Sequence, residues 1–146
     1  MVRIDEQIHI AAPVERVWDT FTDLTCWQDW NTVLTQVEGR DGASLLVAGR
    51  FRSCIRPYAV PVFFEARIEE VVPLKRVLWT ARRFGLQGRH EFLFEPEADG
   101  VLVGSREVLT GFPVVLGGFF FPIGRFRRIT STFLRDLKAG AEQPPG

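Results

Sequence analysis

The stretch from Ile8 to Asn31 constrains the fold more than any other part of the chain, because it encodes a strand followed by two short helices. Up to Ile10, apolar residues alternate with polar ones, which is the period of a strand with one buried face. A helix begins near Pro13, since proline has no N–H to donate and a φ already close to the helical value. The apolar faces of the two helices consist of Val14, Val17, Trp18 and Phe21, then Leu24, Trp27 and Trp30. Helices this short are stable only when they pack on other elements.

A single long helix near the C-terminal end supplies such a partner. From Ile123 onward, one side of it carries Phe126, Thr130, Phe133, Leu134 and Leu137, and charged residues occupy most of the rest. Strand patterns separated by turn signals fill the middle of the chain. We therefore predict an α+β fold in which a curved antiparallel sheet wraps around the long helix. The apolar period is lost from Ala139, so we expect one domain over residues 1–139 and a flexible tail over residues 140–146.

Motifs along nearly the whole chain place these elements. They are IAAPVERVWDTFTD at 10–23, WQDWN at 27–31, AGRF at 48–51, EARIEEVVPLKRVLW at 65–79, HEFLFEP at 90–96 and EVLTG at 107–111. Together they resemble the START-like (SRPBCC) superfamily, in particular its bacterial polyketide cyclase/dehydrase and lipid-transport branch. The resemblance implies a helix-grip fold. It does not imply one activity, because this superfamily includes ligand carriers, cyclases, hydrolases and chaperone regulators.

Charge and cysteine content exclude several classes of function. With 18 basic and 18 acidic residues the net charge is zero, so a nucleic acid or an acidic membrane would need a local patch to bind, and we predict no nucleic-acid partner. Cys26 and Cys54 lack metal-ligand spacing, so we predict no metal or cofactor and a reducing, cytoplasmic location. The longest apolar run, residues 112–123, is shorter than the roughly 20 residues that span a bilayer, so we predict no integral membrane insertion.

The last hairpin predicts a polar pair. If residues 97–100 form a four-residue turn, His90 lies opposite Glu107, and both point inward with Phe92 and Val103. A register slip of two would instead pair His90 with Ser105 or Leu109. Such a pair can act as a general acid or base, can orient a polar ligand group, or can satisfy its own hydrogen bonds as a structural pair. His90 and Glu107 are therefore the candidate catalytic residues.

Aromatic abundance predicts a cavity. The chain has 13 Phe and 4 Trp residues, more large apolar surface than one helix on one sheet needs, and a curved sheet leaves a gap beneath its helix. We interpret Trp18 and Trp27 as core residues. The candidate ligand-binding residues are Trp30, Phe51, Phe64, Trp79, His90, Phe92, Val103 and Phe119.

Glycine and proline interrupt the approach to the long helix over residues 117–124, so the helix should kink or begin anew near Pro122. This segment is either a mobile gate to the cavity or a rigid turn. The function that we predict is the binding of a small hydrophobic molecule. The alternatives are a polyketide cyclase or aromatase that uses the same pocket, and a protein-interaction module that uses the basic face of the last helix or the patch at residues 119–121.

Overall fold

The structure is a computed structural model that describes residues 1–42, 44–45, 49–57 and 60–143, with the backbone alone at position 119. Ala48, the first residue of the AGRF motif, lies outside the described residues. The helices and strands are β1 (Val2–Ile10), α1 (Val14–Thr22), a 3₁₀ turn (Leu24–Cys26), α2 (Trp27–Trp30), β2 (Thr35–Gly39), β3 (Arg50–Ile55), β4 (Val62–Val72), β5 (Arg76–Arg83), β6 (Leu86–Glu97), β7 (Gly100–Gly111), α3 (Phe112–Gly117), a second 3₁₀ turn (Gly118–Phe120) and α4 (Ile123–Glu142).

Within these ranges, seven strands form one curved antiparallel sheet in the order β1-β7-β6-β5-β4-β3-β2. Since β1 and β2 occupy opposite edges, the chain between them must cross the sheet, and α1 and α2 lie in this crossing. The long helix α4 packs on the same face. The α+β prediction, with a sheet around a long C-terminal helix and two short helices after the first strand, is confirmed.

The start of α1 follows from Pro13, which is the residue before the helix. Its carbonyl accepts hydrogen bonds from the N–H groups of Arg16 and Val17 at 3.0 and 3.1 Å. At the other end Asp23 begins the next turn, where its carboxylate accepts from the backbone N–H of Thr25 at 3.0 Å. The Thr25 hydroxyl donates to the same carboxylate at 2.6 Å, and this side-chain hydrogen bond is the main reason that the pKa of Asp23 lies below its ordinary value.

The core lies between the sheet and the helices and consists largely of aromatic rings. Phe21 of α1 contacts Phe92 of β6, with ring centroids 4.8 Å apart, and Trp27 of α2 contacts Phe133 of α4 at 5.5 Å. All four side chains are at least 98% buried. Edge-on and tilted packing of this kind stabilises aromatic cores beyond the area that it buries. The aromatic residues of three separate helices thus hold the helices on one sheet.

Helix α4 is longer than the apolar pattern indicated, since it ends at Glu142 rather than near residue 139. Small residues explain the difference. Ala141 is fully buried. At Gly140 an added Cβ would lie only 2.6 Å from the Cβ of Trp30, so α4 and α2 approach closely at this point. Hydrophobic periodicity does not register glycine or alanine as core residues. Residues 144–146 of the expected tail lie outside the described range.

Arginine and glutamate residues on the outer face of the sheet form ion pairs across neighbouring strands. Arg76 donates to Glu70 at 2.7 Å and to Glu91 at 2.6 Å, and Arg106 approaches Glu91 at 3.7 Å. The hydrogen bond to Glu91 is the main reason that the pKa of Arg76 is raised. These pairs lie on the side of the sheet opposite the core.

The chain between the sheet and α4 is short and apolar. As predicted near Pro122, a new helix begins at the next residue, and α3 with its 3₁₀ turn precedes it. In the part of the chain that the structure describes, no helix is long and apolar enough to cross a membrane.

Candidate functional site

A cavity of about 360 Å³ opens between the sheet and α4. Its volume falls within the range of roughly 300–1,000 Å³ that is typical of small-molecule sites. Apolar side chains form most of its wall. The lining residues are Leu34, Ile55, Pro57, Val62, Phe64, Trp79, Ala81, Arg82, Arg83, Phe84, Leu86, Gly88, His90, Glu107, Leu109, Pro113, Pro122, Phe126, Ile129, Thr130 and Phe133.

The cavity lies where two paired inward residues of the sheet are small. Strand pairing places Ala81 opposite Gly88, and both residues line the cavity. At Gly88, an added Cβ would meet nothing closer than 3.5 Å. Further along the same strand the inward residue is Phe92, which is fully buried and fills the space below the helix. The space above β6 therefore changes from cavity at Gly88 to filled core at Phe92, four residues further along the strand.

His90 and Glu107, the polar pair predicted from the hairpin, both line the cavity, and His90 lies between Gly88 and Phe92 on β6. The register of β6 and β7 is the predicted one, with His90 directly opposite Glu107. Nδ1 of His90 lies 2.9 Å from Oε2 of Glu107. Both side chains line the cavity, and they are 11% and 16% exposed. The two-residue turn at 98–99 sets this register through the pairing of Glu97 with Gly100.

Ser105 completes the group from the far side of the imidazole. Its Oγ lies 2.6 Å from Nε2 of His90. Which of these two atoms donates depends on the tautomer of the ring. Nε2 accepts from the Ser105 hydroxyl when the ring proton is on Nδ1, and donates to it when the proton is on Nε2. Sequence reasoning treated Ser105 as an alternative to Glu107, whereas the structure shows that His90 contacts both at once.

A serine, a histidine and a carboxylate in this order resemble the set used for nucleophilic catalysis. The low exposure of Ser105 argues against a role as the nucleophile. Ser105 is only 3% exposed and lies outside the cavity lining, so a bound molecule would not reach its Oγ. Stacking on Phe92, at 4.2 Å between centroids, and an edge contact with Trp79, at 5.6 Å, also hold the imidazole. Ser105 therefore positions His90, which in turn holds Glu107 at the cavity surface.

The structure divides the other sequence-predicted ligand-binding residues into two groups. Phe64 and Trp79 lie on the cavity wall with His90. The others with described side chains lie in the core cluster outside the lining, and they are Trp30, Phe51, Phe92 and Val103. The side chain of Phe119 lies outside what the structure describes.

The position of each residue beneath the helices explains this division. The alternation of side chains along a strand gives only the face of the sheet on which a residue lies. Phe92 is covered by Phe21 and Phe51 by Trp27. Trp79 contacts both of these covering rings and also lines the cavity, so it lies at the border between core and cavity. Sequence reasoning also missed the contribution of α4, where Phe126, Ile129 and Thr130 complete the wall. Small inward residues such as Gly88 were the signal that could have located the cavity.

The mouth of the cavity is bordered by the turn between β5 and β6 and by the ends of α3 and α4. Arg82, Arg83 and Phe84 line it from the turn, with Pro113 and Pro122 opposite. Neither Arg82 nor Arg83 forms an ion pair with a carboxylate of the described residues, whereas the guanidinium of Arg83 lies 4.4 Å above the ring of Phe84. Within the described ranges, no cluster of three or more potential metal ligands is found.

Comparison with known proteins identifies relatives of the whole chain. The sequence profile of the family described as "Polyketide cyclase / dehydrase and lipid transport" matches residues 1–142. No curated protein matches the sequence.

Solved structures share the fold at low sequence identity. A hypothetical protein from Helicobacter pylori is 18% identical with a TM-score of 0.80, and the match covers 97% of this chain and 88% of that one. A protein from Thermus thermophilus is 17% identical with a TM-score of 0.80, with 96% and 97% covered. The di-domain ARO/CYC BexL from the BE-7585A biosynthetic pathway is 17% identical with a TM-score of 0.75, with 99% of this chain and 51% of BexL covered. At these identities the likeness shows the fold alone.

Proposed function

This chain belongs to the polyketide cyclase/dehydrase and lipid transport family, and on that premise we propose that it binds a small hydrophobic molecule in the cavity between the sheet and α4. The observation that carries the proposal is the composition of the wall. Apolar side chains surround the cavity, and the His90–Glu107 pair is the polar group set into its inner face. An apolar wall with few polar groups selects ligands by shape and fixes their orientation at one point.

The polar group indicates what the ligand carries. Glu107 lines the cavity, and His90 engages only one of its two carboxylate oxygens. A carboxylate in an apolar wall is stabilised by a hydrogen-bond donor, because burying it without one is unfavourable. We infer that the ligand has an apolar body and a hydroxyl or amino group that donates to Glu107.

Two matched glycine variants test binding. Gly88→Val places three carbons in the cavity, whereas Gly104→Val makes the same change on the outer face of the sheet, where an added Cβ meets only Leu93 at 3.9 Å. An environment-sensitive apolar dye should bind the native protein, and Gly88→Val should weaken its binding at least tenfold, or about 1.4 kcal/mol. The Gly104→Val protein should bind like wild type. If the dye does not saturate wild type, or if the two variants behave alike, the cavity does not bind apolar molecules.

The emission of Trp79 offers a second readout of the same event, because its ring lies on the wall. Bound dye should change the tryptophan spectrum of the wild type, and Trp79→Phe should remove most of that change. Native mass spectrometry of protein purified from its own host would give the mass of a retained ligand.

A second candidate function is catalysis of the cyclase or aromatase kind, and the His90–Glu107 pair favours it. A histidine beside a carboxylate can act as a general acid or base. If the pair only orients a ligand, His90→Gln should leave dye affinity within about tenfold of wild type. If it performs acid–base catalysis, the same change should remove on the order of 100-fold or more of turnover of a polyketide substrate while dye binding persists.

The role of Ser105 separates positioning from nucleophilic attack in such an enzyme. Ser105→Ala removes the hydrogen bond to Nε2 of His90 and leaves the His90–Glu107 contact in place. A positioning role predicts a shifted pH profile with substantial residual turnover, whereas loss of all turnover and of any covalent intermediate would assign attack to Ser105.

The cytoplasm remains the location that we propose for the protein. Both cysteines are free thiols in the structure, Cys26 partly exposed and Cys54 buried. Free thiols persist most readily in a reducing compartment. Thiol labelling of protein in intact cells, followed by fractionation, would test this.

A further inference from the structure

A set of large apolar side chains is exposed on one side of the cavity mouth. Phe84 is 72% exposed, Phe112 59%, Val115 75%, Leu116 79% and Phe120 87%. We name these five residues the mouth patch. Scattered apolar residues on a surface need no explanation, whereas a contiguous group of this kind marks an interaction site.

The five residues belong to adjoining segments. The ring of Phe112 covers Gly85, where an added Cβ would lie 1.9 Å from the ring, so α3 rests on the turn that carries Phe84. The residues Val115 and Leu116 follow on α3, and Phe120 follows in the next turn. Since Phe84 and Pro113 both line the cavity, the patch begins at the cavity mouth.

Helix α3 has no polar side chain on any face, because it consists of Phe, Pro, Val, Val, Leu and Gly. A helix that is apolar all round is normally buried on all sides or lies in a membrane. In this structure Val114 is buried and its neighbours Val115 and Leu116 are exposed. The exposed side therefore needs a cover that the chain itself does not supply among the described residues.

Charge is segregated around the patch even though the chain is neutral overall. The segments 82–88 and 112–129, which carry the patch, contain five of the 18 Lys and Arg residues and none of the 18 Asp and Glu residues. Arg82 and Arg83 line the cavity mouth. Arg125 donates to the carbonyl of Pro57, another residue of the mouth, at 3.1 Å. Three guanidinium groups thus stand beside the mouth patch.

We propose that the mouth patch and these arginines dock the protein on the surface of a membrane that contains anionic lipids. Phenylalanine, leucine and valine side chains insert below the headgroups, and arginines bind lipid phosphates. Self-association through this face would bring arginines of two copies together, which is unfavourable. The proposal does not rest on ligand binding; if the proposed function also holds, the docked cavity opens toward the acyl chains.

Vesicle co-sedimentation tests the proposal without any ligand. Wild type should bind vesicles of phosphatidylcholine with phosphatidylglycerol more tightly than vesicles of phosphatidylcholine alone, and added salt should weaken the difference. Each arginine near an anionic surface contributes about fivefold, so Arg82→Gln with Arg83→Gln should weaken binding about 30-fold. Arg67→Gln with Arg89→Gln makes the same charge change on the outer face of the sheet and should have little effect.

The apolar part has its own pair of variants. Leu116→Ser with Val115→Ser should reduce vesicle binding by on the order of tenfold or more, because these side chains are solvent-exposed and available to insert. Leu93→Ser, on the outer face and 39% exposed, is the control. The arginine variants keep the test valid if either serine variant fails to fold, as judged by circular dichroism.

Several results would overturn the proposal. Wild type that stays in the supernatant with anionic vesicles at low salt, or that binds both vesicle types equally, is one such result. Patch variants that sediment like their controls are another. A wild-type dimer in light scattering that Leu116→Ser dissociates would make the patch a contact between copies of this chain. Vesicle binding by a Gly88→Val protein that has lost dye binding would support the proposal and separate it from cavity function.

Discussion

Two glycines of α4 offer a matched test of how closely the helix approaches α2. Gly124 lies near the start of the helix with nothing within 4 Å of an added Cβ, and Gly140 lies near its end against Trp30. Replacing either residue by alanine removes the same conformational freedom from the unfolded chain. Without other effects, each change should therefore stabilise the protein by about 0.5–1 kcal/mol.

At Gly140 steric overlap opposes this gain. The new methyl group would lie 2.6 Å from Cβ of Trp30, an atom that the backbone fixes and no rotamer change can move, and 3.0 Å from Cγ. Either helix must then shift by about 1 Å in a packed region, and overpacking of this kind costs about 1–3 kcal/mol. We expect Gly140→Ala to lower the free energy of unfolding by about 1 kcal/mol while Gly124→Ala raises it.

The difference between the two variants is the quantity to measure, because the unfolded-state contribution cancels in it. Urea unfolding followed by circular dichroism should place Gly140→Ala about 1–3 kcal/mol below Gly124→Ala, with equal m values. Equal stability of the two variants, within about 0.5 kcal/mol, would refute the reasoning. It would show that residue 140 belongs to a flexible tail, as the apolar period of the sequence indicates.

Further predictions concern the core and its pH dependence. Phe133→Ala should lower the free energy of unfolding by about 3–5 kcal/mol, since the ring is 2% exposed, whereas Phe120→Ala should change it by less than about 1 kcal/mol. The Lys138 ammonium, 2.6 Å away, lowers the pKa of Glu142 below its ordinary value, so this carboxylate stabilises the fold above its unfolded pKa of about 4.3. Glu142→Gln should therefore destabilise by up to about 1 kcal/mol at pH 7, and the loss should disappear as the pH falls below the lowered pKa. A loss that stays constant down to about pH 2 would contradict the assignment.

The sequence by itself determined the first strand, the two short helices after it, the long C-terminal helix and the inward faces of the central strands. It did not predict β2 or α3. Alternation in the strands places Phe51, Phe64 and Trp79 inward because side chains point to opposite faces in turn, and this rule needs no tertiary information. The same rule with a short turn set the register that brings His90 opposite Glu107. These are local constraints, and a single chain segment carries each of them.

Only the tertiary structure decided which inward residues face a cavity. Phe92 and Gly88 have the same inward direction, yet Phe92 lies against Phe21 of α1 in the filled core and Gly88 lies on the cavity wall. The contact of Ser105 with His90 depends on side-chain reach across two strands, and the end of α4 depends on Gly140 lying against Trp30. The mouth patch is likewise a tertiary feature, since its apolar residues resemble core residues in the sequence and yet are 59–87% exposed. Periodicity reports the direction of a side chain, whereas burial depends on what other segments place in front of it.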